Sequence, residues 1–153
     1  MKTRSIVLTI VMCFVGLTIC FASPMMGTWK LNEAKSKLGP GAAKNITVVY
    51  EAAGDSIKAT IDGVDGTGNP THFEWTGRFD GKDYPLTGDP TGDTRAYKQI
   101  NEHTIEGITK KDGKVTGSSR IAIAADGKSR TVTTDLTDSA GKKIHNVSFY
   151  DKQ

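Results

Sequence analysis

Three tripeptides of one kind punctuate the sequence: Asp80-Gly81-Lys82, Asp112-Gly113-Lys114 and Asp126-Gly127-Lys128, with Ala140-Gly141-Lys142 a near copy. Asp-Gly supplies the positive-φ positions that tight hairpin loops demand. The last three of these turns begin 14 residues apart. Each interval therefore holds a strand of about ten residues, roughly 33 Å at ~3.3 Å per residue. A run of equal hairpins is an up-and-down meander, and closing it into a ring removes the two edges that would otherwise template aggregation.

The rest of the chain fits that scheme. Short runs rich in Val, Ile, Thr and aromatics alternate with Gly- and Asp-rich breaks, and no helical periodicity competes with them. Strands are expected at 27–31, 45–52, 55–62, 71–79, 82–87, 93–100, 103–110, 114–124, 129–137 and 142–150. Between the first two, Gly39-Pro40-Gly41 cuts short any helix begun at Asn32-Glu33-Ala34-Lys35, leaving one turn at most. Alternation puts Ile46, Val48 and Tyr50 on one face, followed by Ile57, Ala59 and Ile61, then Phe73, Trp75 and Phe79. Thr, Lys, His, Glu and Arg fill most positions between them. Val115 is expected to share the inner face with Ile121 and Ile123, and Arg130 with Val132, Thr134 and Leu136. The last strand is ambiguous, with Ile144, Asn146, Ser148 and Tyr150 opposing His145, Val147 and Phe149. The fold class is all-β: an antiparallel up-and-down meander closed into a single barrel of eight to ten strands. Its charged outer face excludes an outer-membrane barrel.

Residues 1–22 read as a secretory signal peptide, with Lys2 and Arg4 ahead of an apolar run from Ile6 to Phe21 and cleavage after Ala22. About 16 apolar residues fall short of the roughly 20 that span a bilayer. Ile19 is too large for the residue before a lipidated Cys20, so no lipid anchor is expected. Residues 23–153 form one domain, secreted or periplasmic and monomeric, with no membrane span. Both cysteines, Cys13 and Cys20, fall in the leader, which excludes disulfides, thiol chemistry and Cys-held metals from the remainder. Without the leader, 18 cations face 17 anions, and the scattered basic residues form no nucleic-acid surface.

No metalloprotease, serine-hydrolase, Walker or dinucleotide signature is present. His72, His103 and His145 lie far apart, and neither Asp62, Asp65 and Asn69 nor Asp89 and Asp93 have the spacing of a calcium loop; both loops read as solvated turns. No catalytic residue, metal or cofactor is expected. The candidates for a ligand cavity are Tyr50, Phe73, Trp75, Phe79 and Tyr97, with Arg120 and Arg130 as cations and Arg95 as a further one. Arg130 at a strand start is either a cation that receives a ligand carboxylate or an arginine with its stem over apolar surface and its head in water.

Gly27-Thr28-Trp29-Lys30-Leu31 opens the first strand. Gly27 permits close backbone approach, while Trp29, turned inward, plugs one end of the barrel and gives its N–H to a nearby carbonyl. The stretch resembles the Gly-x-Trp signature of lipocalins and the first strand of the intracellular fatty-acid-binding proteins. The chain thereby resembles the calycin group, most closely the small secreted bacterial lipocalin-like proteins. That resemblance implies a barrel with a cavity for a small hydrophobic ligand. Three departures are visible. No arginine follows Arg130, so the arginine that packs across the signature Trp in lipocalins has no counterpart in the last strand. Thr134-Asp135-Leu136 matches the family's Thr-Asp-Tyr-like motif only in part. The first connection is too short for the two-helix lid of the fatty-acid-binding proteins, whose Arg-x-Tyr clamp is also missing. Two functions are expected: a non-catalytic binder or carrier of an apolar or amphipathic molecule, or a filled barrel that engages a protein or envelope partner. A void of roughly 300 Å³ or more lined by Trp75 and its neighbours separates the first from the second.

Overall fold

The computed structural model describes residues 23–137 and 141–153; the leader and Ala140 of the fourth turn lie outside them. Ten strands run in chain order: β1 Gly27–Leu31, β2 Lys44–Ala53, β3 Ser56–Val64, β4 Pro70–Gly77, β5 Asp80–Thr87, β6 Thr94–Asn101, β7 Thr104–Lys111, β8 Lys114–Ile123, β9 Ser129–Thr137 and β10 Lys143–Lys152. Every strand pairs antiparallel with its neighbours in sequence, and β1 also pairs with β10 to close the ring. The one helical turn among the described residues, Glu33–Lys35, is 3₁₀, capped by the Asn32 side chain accepting from the Lys35 amide. No helix among the described residues is long and apolar enough to cross a membrane.

Closure rests on a short strand. Trp29 faces Val48 on one side and Lys152 on the other, so β1 staples both free edges of the meander together. Its indole is fully buried and donates Nε1–H to the Met25 carbonyl at 2.8 Å. In a meander the connections alternate between two ends. β2–β3, β4–β5, β6–β7 and β8–β9 turn at the end where β1 begins, here called the floor. The other connections gather at the opposite end, the mouth.

Bulges account for three departures from simple alternation. Ile46 is 40% exposed because the β2–β3 register slips between Asn45 and Thr47, and every residue beyond a slip changes face. Val115 is likewise outward, 63% exposed, with the β7–β8 register slipping between Thr109 and Lys110. Asp80-Gly81-Lys82 is no hairpin turn. β5 already begins at Asp80, and Gly81, at φ +82°, takes up a bulge opposite β6. Asp112-Gly113, both at positive φ, does form the tight turn between β7 and β8. In β10 the inward set is Asn146 and Tyr150, both buried. Phe149 faces outward under the Lys35 ammonium, 4.7 Å from its ring centroid.

Candidate functional site: the barrel interior

Around the floor, four side chains converge on one guanidinium. Arg130, at the start of β9, is 2% exposed. It lies 4.7 Å from the Trp29 ring, 4.8 Å from Tyr150 and 5.2 Å from Tyr50, distances at which ring faces attract a cation. Its Nη1 approaches the Met25 sulfur at 3.2 Å. The arginine that packs across Trp29 therefore comes from β9 and not from the last strand, where the resemblance had led it to be sought. Register explains how: Arg130 pairs with Tyr150, and Tyr150 with Leu31 of β1, so β10 is the one strand between the arginine and the indole. Burial pushes the pKa of the Tyr50 hydroxyl up to about 12, with the charge of Tyr97 adding to the shift and Arg130 opposing it. Burial also raises Tyr150. Both phenols thus stay protonated, and the Tyr150 hydroxyl donates a hydrogen bond to the Asn45 carbonyl at 3.0 Å, beside the β2 bulge.

At the mouth, the loop between β5 and β6 turns inward. Asp89 accepts from the Thr91 amide and hydroxyl at 2.8 and 2.6 Å with one oxygen, and from Arg95 Nη2 at 3.0 Å with the other. Their side chains are only 7% and 14% exposed. Arg95 Nε also donates to the Thr109 hydroxyl at 3.0 Å. Burial works against the charge on Arg95, but Tyr97 and Asp89 outweigh it and hold its pKa above the ordinary arginine value. The loop is tied across to β7 and β8: the Thr116 hydroxyl donates to the Thr91 carbonyl at 2.7 Å, and the Asp93 amide to the Lys110 carbonyl at 2.9 Å. The expected solvated turn at 89–93 is instead a fixed partial cover over the barrel. The loop at 65–69 is a surface turn whose first residue, Asp65, also borders the mouth of the barrel; hydrogen bonds from Thr67 and Asn69 hold its carboxyl well below the usual carboxylate range.

Between floor and mouth lies a cavity of about 180 Å³. Its waist is apolar, formed by Val48, Ile61, Phe73, Ile121 and Val132, whereas Arg130, Tyr50 and Tyr150 border one end and Arg95, Thr109 and Asn146 the other. Of the residues singled out in the sequence, Tyr50, Phe73, Arg95, Tyr97 and Arg130 line it. Trp75, Phe79 and Arg120 do not. Trp75 stacks on Phe79 at 6.0 Å and meets Tyr84 and Tyr97 edge-on at 5.9 and 4.9 Å. This cluster fills the wall where the β4–β5 ladder thins to two residue pairs, Glu74 with Thr87 and Trp75 with Leu86. Arg120 points outward and is paired with Glu106. The cavity is smaller than the roughly 300 Å³ typical of ligand pockets and Trp75 does not line it, so the void expected to mark a carrier is met in neither size nor lining; a smaller one, lined also by Asn146, Ser148 and Thr109, takes its place. The alternation of β10 could have identified the first two had its inward face been assigned.

A second, more open depression of about 380 Å³ lies on the mouth rim between β8, β9 and β10, bordered by Val115, Asp135, Leu136, Lys143 and His145. The outer wall is otherwise studded with ion pairs, among them Lys58 with Glu74 and His72 with Asp62, each at 2.6 Å. The sequence matches no protein-family model and no curated protein sequence.

Proposed function

We propose that this closed ten-strand antiparallel barrel, whose architecture is consistent with a calycin-like fold, binds a small amphipathic molecule in its interior. It would do so after export, in the periplasm or outside the cell, and without catalysing a reaction on its ligand. The single observation that carries the reading is the two-character cavity of about 180 Å³, apolar at the waist and polar at both ends. A solid interior would have closed over this space. A space of this size suits a compact molecule better than a long-chain lipid. The leader expected at 1–22 supports export.

Native mass spectrometry of the protein isolated from its own source tests the proposal. A co-purifying small molecule, or one that loads on incubation, is the expected result. Repeated failure to find or load any would abandon it. The second reading, a barrel that engages a partner protein or envelope component, is favoured by the rim depression, whose larger volume and mixed lining of Val115, Leu136, Asp135 and Lys143 lie open to solvent.

A further inference from the structure

We infer that the interior cavity is an anion site, in which Arg130 receives the carboxylate of a ligand about the size of hexanoate or benzoate. The inference rests on the small-ligand reading above and adds the charge and orientation of the ligand.

Arg130 is 2% exposed and lines the cavity. Among the described residues it has no carboxylate partner, its Nε–H has no acceptor, Nη1 meets a thioether sulfur, a weak acceptor, and its polar neighbour is the neutral Tyr50 hydroxyl. A buried ion without a hydrogen-bonded counter-charge is strongly disfavoured, and ring faces offset this only in part. The neighbouring phenols do not supply the charge, because burial keeps Tyr50 and Tyr150 protonated well above neutral pH. Tyr50 is instead a neutral phenol beside Arg130, while the Tyr150 hydroxyl is already committed to the Asn45 carbonyl. The other interior cation, Arg95, already holds Asp89 at 3.0 Å. Asp65, the other carboxylate lining the cavity, lies at the mouth and is held by Thr67 and Asn69, so the positive charge left to attract a ligand is concentrated at Arg130. Val48, Ile61 and Phe73 then flank the apolar body of a ligand whose head group points to the floor.

The test compares hexanoate and benzoate with hexanol, benzyl alcohol and hexylamine at pH 7.5 and low salt, read by calorimetry and by tryptophan fluorescence of the protein as isolated. Each acid is expected to bind at least tenfold more tightly than its alcohol, with hexylamine weakest. Equal binding of acid and alcohol, or a preference for the amine, overturns the anion site while leaving the small-ligand reading intact. Failure of all five overturns both. In Arg130→Gln the preference for acid over alcohol is expected to disappear; a folded variant that keeps it overturns the assignment to Arg130. Because this substitution also disturbs the floor, a second measurement uses the unaltered protein. The bound carboxyl of ¹³C-labelled hexanoate is expected to titrate at least one pH unit below the free acid, and a carboxyl that titrates as it does in water overturns the proposal.

Discussion

Arg95 and Arg130 enter the same barrel from opposite ends and are held in different ways. At the mouth, a loop carries Asp89 inward to neutralise Arg95 at 3.0 Å. At the floor, three aromatic rings surround Arg130 between 4.7 and 5.2 Å, and no carboxylate among the described residues reaches it. One end is electrostatically complete and the other is not. A strand pair lets side chains meet across it only in register, and the floor strands offer rings where the mouth loop offers an acid. The largest effect is expected when the floor loses its principal ring. Trp29→Ala removes a fully buried indole and should cost about 3–5 kcal/mol, as large-to-small core changes do, measured by urea unfolding. A loss under ~1 kcal/mol would mean that Arg130 and β1 hold the closure without the indole.

The mouth is probed by Asp89→Asn, which leaves Arg95 without its counter-charge while keeping the shape of the loop. Breaking a fully buried pair costs about 3–5 kcal/mol. With side chains still 7% and 14% exposed, water relieves part of that, and about 2 kcal/mol is expected. The double variant Asp89→Asn with Arg95→Met should recover part of the loss, because the stranded cation is gone. If the double variant is no more stable than the single one, the Thr91 hydrogen bonds to Asp89 matter and the charge does not, and the contrast between the two ends collapses.

The ten strands were legible because turn chemistry and two-residue alternation are local. All ten lie where the sequence places them, with no end displaced by more than two residues. The misplacements of Ile46 and Val115 trace to bulges, which insert a residue without any apolar signal of their own. Asp80-Gly81-Lys82 shows the same limit from the other side, since one tripeptide serves as a tight turn at Asp112 and as a bulge at Asp80. The site was harder to read. That Trp75 fills a wall and Tyr50 borders a void depends on which strands lose pairing around the ring, a property of closure that no single strand carries. The meeting of Arg130 with Trp29 spans a hundred residues and is fixed only when β10 lies between them. Asp89 was passed over because Asp-Pro-Thr-Gly reads as a surface turn until Arg95 is placed beneath it.

Outside the barrel a charge is held in a third way, in water, and the stakes fall accordingly. Arg120 pairs with Glu106 on the outer wall with about half of each side chain exposed. Arg120→Ala is expected to change stability by no more than ~0.5 kcal/mol. A loss above ~1 kcal/mol would place Arg120 in a role that its outward position does not explain.

The smallest effect is a pH dependence on the same outer wall. His72 Nδ1–H donates to the Asp62 carboxylate at 2.6 Å, and that hydrogen bond, opposed by slight desolvation and helped by the charges of Asp62 and Glu74, raises the imidazole pKa above its ordinary value. The protonated ring is favoured by folding, so its contribution to stability is complete below the unfolded value of ~6.5 and is lost as pH rises through the raised folded value. An NMR titration of the His72 ring should therefore give a midpoint above ~6.5, and Asp62→Asn should bring it back toward that figure. Because both side chains are more than half exposed, added salt should shrink the shift in the same direction. A midpoint indifferent to Asp62→Asn would show that the pair does not persist in solution. His72 would then carry its charge singly, whereas Arg95 keeps its own under a buried carboxylate.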